Sequence, residues 1–211
     1  MMDWTKRLIN VYPELVICEE DIQKAIQILS GCFKAGGKLL VCGNGGSAAD
    51  SEHIVGELMK GYMSKRPLPE TKRQKFLTAN NLDGLFLADH LQGALPAISL
   101  VSQSSLISAF SNDVNADLVY AQQVYGYGRT GDVLWGISTS GNAKNVNFAL
   151  QTAQTLGMKT IGLSGPSGGK MKDYCDVIIR VPGDSTPAIQ ERHLPVYHTI
   201  CAMLEQELFH S

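Results

Sequence analysis

Residues 38–60 read KLLVCGNGGSAADSEHIVGELMK, and this stretch decides the fold. Lys38 to Cys42 is a short apolar run set between glycine clusters, the pattern of a strand buried on both faces. Gly43-Asn44-Gly45-Gly46-Ser47 follows, a turn whose glycines let the backbone come close to a ligand. A helix is expected from about Ser47 to Lys60, so its N-terminal N–H groups and dipole favour an anion at that turn. The loop fits neither the G-x-G-x-x-G dinucleotide pattern nor a Walker A loop, because no Gly-Lys-Ser/Thr follows. On its own it could equally be a plain tight turn.

The alternation continues downstream. Strands are expected at Ala97–Val101, Asp132–Ile137, Lys159–Leu163 and Asp176–Val181. Between them fall helical segments up to Tyr125, a helix over Asn142–Leu156 ended by Gly157, and a helical turn at Gly169–Tyr174. The last helix is expected from Pro187 to about Phe209, with Thr186 as N-cap and a kink at Pro195. Upstream, Ile22, Ala25, Ile26, Leu29, Cys32 and Phe33 form the apolar stripe of a helix over Asp21–Ala35, closed by Gly36-Gly37. Strands alternating with helices predict an α/β fold: a five-stranded parallel sheet with helices on both faces and right-handed crossovers. Residues 1–35 read as an N-terminal helical extension and 36–211 as the main domain, interrupted at about 63–95. Ligands of such sheets bind outside the carboxyl ends of the strands, where both glycine-rich clusters fall.

Composition bounds the rest. At 211 residues, 44% hydrophobic and 18% charged, the chain suits one globular domain. A chain this long buries roughly 70% of its unfolded surface and needs no disulfide or structural metal to fold. Eighteen Lys and Arg against 20 Asp and Glu give a net charge of −2, which argues against nucleic acid as a partner. Cys18, Cys32, Cys42, Cys175 and Cys201 are scattered and show no C-x-x-C pair, so a disulfide framework or zinc ribbon is not expected. Met1–Asn10 carries Asp3, Lys6 and Arg7 without a long apolar run, so no secretory signal is expected and a cytoplasmic location is. Leu91–Asn112 is uncharged but holds Gln92, Pro96, Gln103 and several serines; it reads as loop, strand and polar helix start, not a membrane span.

The second candidate loop is Ser138-Thr139-Ser140-Gly141-Asn142, again between strand and helix. Three hydroxyls and the adjoining N–H groups can wrap a phosphate with neutral donors, although an ordinary Ser/Thr-rich helix cap has the same look. Two such loops in one sheet favour phosphate. On the helix after the first loop, His53 and Glu57 stand four apart, about 400° of turn, so both point to nearly one face. Spacing alone would favour a surface His–Glu pair. Gln190 and His198, on the last helix, are eight apart, roughly 80° and two turns, and reach one site only if it lies alongside the helix.

The two loops, His53 with Glu57, Gly168-Gly169-Lys170-Met171, and Ile189-Gln190-Glu191 continuing to His198 resemble the sugar isomerase (SIS) domain family, more narrowly its phosphoheptose isomerase type. The resemblance runs from about Ile22 to Leu208 and implies a single flavodoxin-like SIS domain. It implies an aldose–ketose isomerase acting through an enediol on a phosphorylated sugar, foremost sedoheptulose 7-phosphate, with Glu57 as base and His198 as acid/base partner. It also implies one Zn²⁺ per subunit on His53, Glu57, Gln190 and His198. Sugar phosphate would be held by Asn44, Gly45, Ser47, Asp113, Ser138, Thr139, Ser140, Asn142 and Gln190, in a homotetramer with sites at subunit interfaces. A zinc-bound carboxylate is a poorer base, so Glu57 and His198 stand in tension between two roles.

The chain departs from the family pattern at three positions. Ala143 stands where the phosphate loop usually has another serine, Gly61 where an arginine often follows the His–Glu helix, and Pro187 where an aspartate is common. These leave an isomerase for another sugar phosphate open, as they do a SIS protein that binds a replication initiator or regulates transcription. Glu57 argues against the initiator-binding type, and no DNA-binding helix-turn-helix is expected in these residues, which counts against a transcription regulator. His193 is expected to be structural or at an interface, and His90 and His210 solvated. Lys65, Arg66, Lys72, Arg73 and Lys75, against Glu70 alone, make the start of the interruption basic: either a lid over an anionic substrate or a solvated connecting helix. Part of it, at about Leu82–Leu91, is expected to be helical.

Overall fold

The computed structural model describes residues 2–79 and 82–209. Five parallel strands make one sheet: β1 (Leu39–Gly43), β2 (Ala97–Ser99), β3 (Val133–Ser138), β4 (Lys159–Ser164) and β5 (Val177–Arg180). Their order is β2-β1-β3-β4-β5, the flavodoxin-like doubly wound arrangement, and all four pairings are parallel. The helices are α1 (Trp4–Val11), α2 (Glu19–Lys34), α3 (Gly46–Met59), α4 (Glu70–Ala79), α5 (Gly84–His90), α6 (Ser104–Phe110), α7 (Val119–Tyr127), α8 (Lys144–Thr155) and α9 (Thr186–Phe209). Each expected strand is present, with no end moved by more than two residues.

Alternation along the strands divides the core in two. Leu39, Val41, Val133, Trp135, Ile137, Ile161 and Leu163 face one cluster with residues of α2, α3 and α9. Leu40, Cys42 and Leu134 face the other, with Val124 of α7 and Val146 and Leu150 of α8. On that second face Gly136 lies under α8, where a Cβ would come within 2.9 Å of Val146, so glycine lets the helix approach the sheet. Leu8, Leu15, Cys18 and Ile22 from the first 35 residues belong to the first cluster and seal its outer side.

Two local expectations change. Thr186 is already helical: Ile189 N–H bonds the Ser185 carbonyl at 3.0 Å, so α9 starts one residue early. The helix continues through Pro195 to Phe209, while His210 lies outside the described residues. Arg66, in a basic run expected to be either a lid or a solvated helix, is instead 1% exposed. The rest of that run fits a solvated helix: α4 buries none of its residues, and its Arg73 pairs with Asp89 of α5. No helix among the described residues is long and apolar enough to cross a membrane.

Candidate active site

Sheet order places the two loops together. Strands β1 and β3 are neighbours that leave the chain in opposite directions around the sheet, which makes their carboxyl ends the switch point where ligands bind. Gly43 pairs with Ile137 in the register, so Asn44 and Ser138 emerge side by side. Gly45, at φ 56°, turns the chain into α3. The Asn44 and Asn145 side-chain amides bond each other twice, at 2.8 and 2.9 Å, tying the first loop to α8. The Tyr120 hydroxyl donates to the Gly43 carbonyl at 2.6 Å and braces the loop from α7.

The second loop is held by its own backbone. Gly141, at φ 66°, packs against the Gly168 carbonyl so closely that a Cβ would overlap it. Gly165 N–H reaches the Thr139 carbonyl at 3.0 Å, and Met171 N–H the Gly141 carbonyl at 2.9 Å. These contacts shape a polar cleft of about 390 Å³ between Thr139, Ser140 and Asn142 on one side and Ser167, Asp184, Ser185 and Thr186 on the other. Ser140 and Asn142 are exposed, whereas Ser138 and Ser47 are buried. The cleft is of small-molecule size.

A second group forms where α3 meets α9. His53 Nε2 lies 3.3 Å from Glu57 Oε1 and 3.5 Å from His198 Nε2, so the pair on α3 and the histidine on α9 converge. Burial, with His53 opposite, holds His198 below the ordinary histidine range against the pull of Glu57. Lys60 Nζ approaches Glu57 Oε2 at 3.4 Å. On the other side of the His53 ring, Nδ1 is 2.9 Å from the Tyr197 hydroxyl, which reaches Asp50 Oδ1 at 3.4 Å. Burial, then Asp50, pushes the Tyr197 phenol far up, so it keeps its proton.

Other expected site residues lie elsewhere. Gln190 is set against Gly46 at the start of α3, where a Cβ would overlap its amide, about 10 Å of helix before His53. Asp113 is exposed on a π-helical turn, Ser111–Asn115, and accepts from Asn112 at 2.8 Å. His193 is wholly buried. His90 is exposed and stacks on Phe86.

The donor set bears on zinc. Ligand atoms of a tetrahedral zinc with ~2.0–2.1 Å bonds stand about 3.3–3.4 Å apart, close to the two spacings around His53 Nε2. Imidazole and carboxylate are also the right donor types. Yet Gln190 is turned away, and among the described residues no group of three or more His, Cys, Asp or Glu is arranged to hold a metal ion. The residues fit in kind and in pairwise spacing, not as a closed cage.

Sequence reasoning passed over Asp50, Tyr197, Asn145 and Tyr120. Asp50 stands three before His53 and seven before Glu57, on the same helix face, and Tyr197 directly precedes His198; both could have been suspected from spacing. Asn145 and Tyr120 carried no local signal.

The carboxyl-edge cleft, its paired loops and the sheet order define a SIS-domain protein, and the SIS domain family pattern matches residues 7–79 and 78–165. The phosphoheptose isomerase of Clostridium acetobutylicum is 38% identical over 190 residues, 90% of this chain and 84% of that protein. That of Aliarcobacter butzleri is 41% identical over 192 residues, 91% of this chain and 88% of that one. Among solved structures, a phosphoheptose isomerase from Francisella tularensis superposes with a TM-score of 0.76 at 29% identity, covering 95% and 94% of the two chains. That of Neisseria gonorrhoeae gives 0.69 at 31% identity, covering 94% and 98%. The chain belongs to the phosphoheptose isomerase family.

Proposed function

We propose that the protein converts sedoheptulose 7-phosphate to D-glycero-D-manno-heptose 7-phosphate by proton transfer through an enediol. The observation that carries this reading is the identity of 38–41% to phosphoheptose isomerases across about 90% of the chain. The convergence of Glu57 and His198 on His53 supports it. Glu57 takes the proton from C1 of the ketose and returns it at C2. His198, neutral near pH 7 because burial disfavours its cation, moves the proton between the C1 and C2 oxygens. The exposed Ser140 hydroxyl and the N–H groups of residues 139–142 bind the phosphate at the cleft, with Asn44, Gly45, Ser47, Ser138, Asp113 and Gln190 as further substrate contacts.

Zinc, one ion per subunit on His53, Glu57, His198 and Gln190, belongs to the same proposal and would polarise the substrate oxygens when bound. The two spacings around His53 support it, and Gln190 has to turn from Gly46 to complete the set. A homotetramer with sites at subunit interfaces fits the exposed Val11, Tyr12, Val16, Ile17, Met59 and Met63, an apolar surface that a second copy would cover. A cytoplasmic location fits five cysteines that are all free, four of them buried.

Ala143, Gly61 and Pro187, where the family usually has Ser, often Arg and commonly Asp, together with the insertion at about 63–95, favour a second reading: an isomerase of another sugar phosphate. Assaying the purified protein against a panel of sugar phosphates decides between the two. Fastest turnover of sedoheptulose 7-phosphate supports the first, and preference for another sugar the second.

A further inference from the structure

We propose that Tyr197 and Asp50 are positioning residues that fix the ring tautomer of His53, keeping its proton on Nδ1 and turning the Nε2 lone pair toward Glu57 and His198. The consequence for metal affinity rests on the proposed role of His53 Nε2 as a donor. The tautomer itself does not.

The three groups form a chain between two helices. Asp50 and His53 lie on one face of α3, and Tyr197, 1% exposed, reaches across from α9. Its hydroxyl is 2.9 Å from His53 Nδ1 and 3.4 Å from Asp50 Oδ1. A phenol has one proton to give. Given to His53 Nδ1, it puts the ring proton on Nε2, facing Glu57 Oε1. Asp50 then has no donor among the described residues, because Oδ2 is buried without a partner there and Oδ1 has only Tyr197. Given to Asp50, it leaves the phenol oxygen free to accept Nδ1–H, and His53 Nε2 can accept Nε2–H from His198 at 3.5 Å.

The second arrangement has three hydrogen bonds against two, and it supplies the half-buried Asp50 carboxylate with a donor, at Oδ1. A carboxylate drawn partly out of water with no donor at all is destabilised. Glu57 is not stranded by this choice, since Lys60 faces its other oxygen at 3.4 Å. The assignment therefore favours Nδ1–H even without metal. It is also the tautomer that any ligation through Nε2 requires, with the partner of the other ring nitrogen setting it.

The test uses the full chain labelled with ¹⁵N-histidine and stripped of metal by chelation, at a pH above the histidine titration range. The His53 ring signals are identified by their loss in His53→Gln. Wild type is expected to show Nδ1–H, and Tyr197→Phe, which keeps the ring that fills the core, Nε2–H. Asp50→Ala, at a half-buried helix position, is expected to release the Tyr197 proton to Nδ1 and give the same change, and it serves should Tyr197→Phe fail to fold. Zinc titrated into each protein should bind about 10–100-fold more weakly in both variants than in wild type. A wild-type His53 protonated on Nε2, or an unchanged tautomer in both variants, overturns the proposal. If wild type takes up no zinc, the metal reading falls, while the tautomer, read without metal, still decides this inference.

Discussion

Arg66 and Glu205 form an ion pair, Nε to Oε1 at 2.7 Å, with side chains 0% and 2% exposed. Backbone groups around it are drawn into the same network. Arg66 also donates to the carbonyls of Leu58 at 2.7 Å and Glu57 at 3.2 Å, the orphan carbonyls at the end of α3. Glu205 accepts from the backbone N–H groups of Tyr62 and Met63 at 2.8 and 2.9 Å, and the Phe209 ring lies under the guanidinium. The pair joins the helix that carries Glu57 to the helix that carries His198.

Removing one member leaves the other charged, buried and unpaired. Glu205→Ala should therefore lower stability by about 3–5 kcal/mol, whereas replacing both charges, Arg66→Met with Glu205→Leu, should lower it far less. Urea unfolding curves of the three proteins check this. Equal losses for the single and double variants would show that the backbone bonds, not the uncompensated charge, dominate.

His193 gives a pH-dependent signature. Its ring is 0% exposed, and among the described residues neither nitrogen has a partner in hydrogen-bonding geometry. Burial pushes its pKa down to about 4, with the Ser164 backbone opposing only in part. The folded value lies below the unfolded one of 6.5, so between the two the unfolded chain binds more protons. The stabilisation present above 6.5 is lost as pH falls toward 4, in total roughly 3 kcal/mol. Stability measured against pH should fall less steeply over that window in His193→Leu than in wild type; parallel curves would refute the assignment.

What the sequence disclosed follows from the range of the interactions. Strands such as LLVCG and VLWGIS are apolar because both faces are covered, and glycine loops mark their ends, so fold and switch-point loops could be read locally. The α3 pairing of His53 with Glu57 needed only helical spacing. The burial of Arg66 is not legible locally, because its partner is 139 residues away in sequence. Spacing could point to Tyr197 and Asp50 singly, but their contact spans 147 residues and is not legible. Gln190 shows the other limit: its helix position was right, but the direction of a long side chain is settled by its surroundings, here the open face of Gly46.

Ser140 tests the phosphate cleft. Its hydroxyl is exposed and accepts only a 3.2 Å bond from Asn142 N–H, so Ser140→Ala should leave the fold unchanged. A hydrogen bond to a charged group contributes about 1.5–3 kcal/mol, so binding of phosphorylated sugars should weaken roughly tenfold or more. Unphosphorylated analogues should bind as before. Calorimetric titration of both ligand types distinguishes this from a general loss of the site, which would weaken the two alike.

Glu57 separates proton transfer from the other routes by which a hydrogen can move between C1 and C2. Glu57→Gln keeps the shape of the side chain but cannot act as a base, so turnover should fall by the ~10²–10⁴-fold typical of a lost acid–base group while the fold persists. In D₂O, the wild-type protein should place deuterium at C1 of recovered ketose or at C2 of the aldose. A proton held on a carboxylate can exchange with solvent before it is returned, and Glu57 is within reach of solvent at 14% side-chain exposure, with Lys60 beside it. A hydride shift would carry the original hydrogen across and leave both carbons unlabelled. Partial labelling still requires the enediol, because return of the same proton competes with exchange in a sheltered site. Turnover without any deuterium after many cycles, or a Glu57→Gln protein within a few-fold of wild type, would remove Glu57 from the role of base.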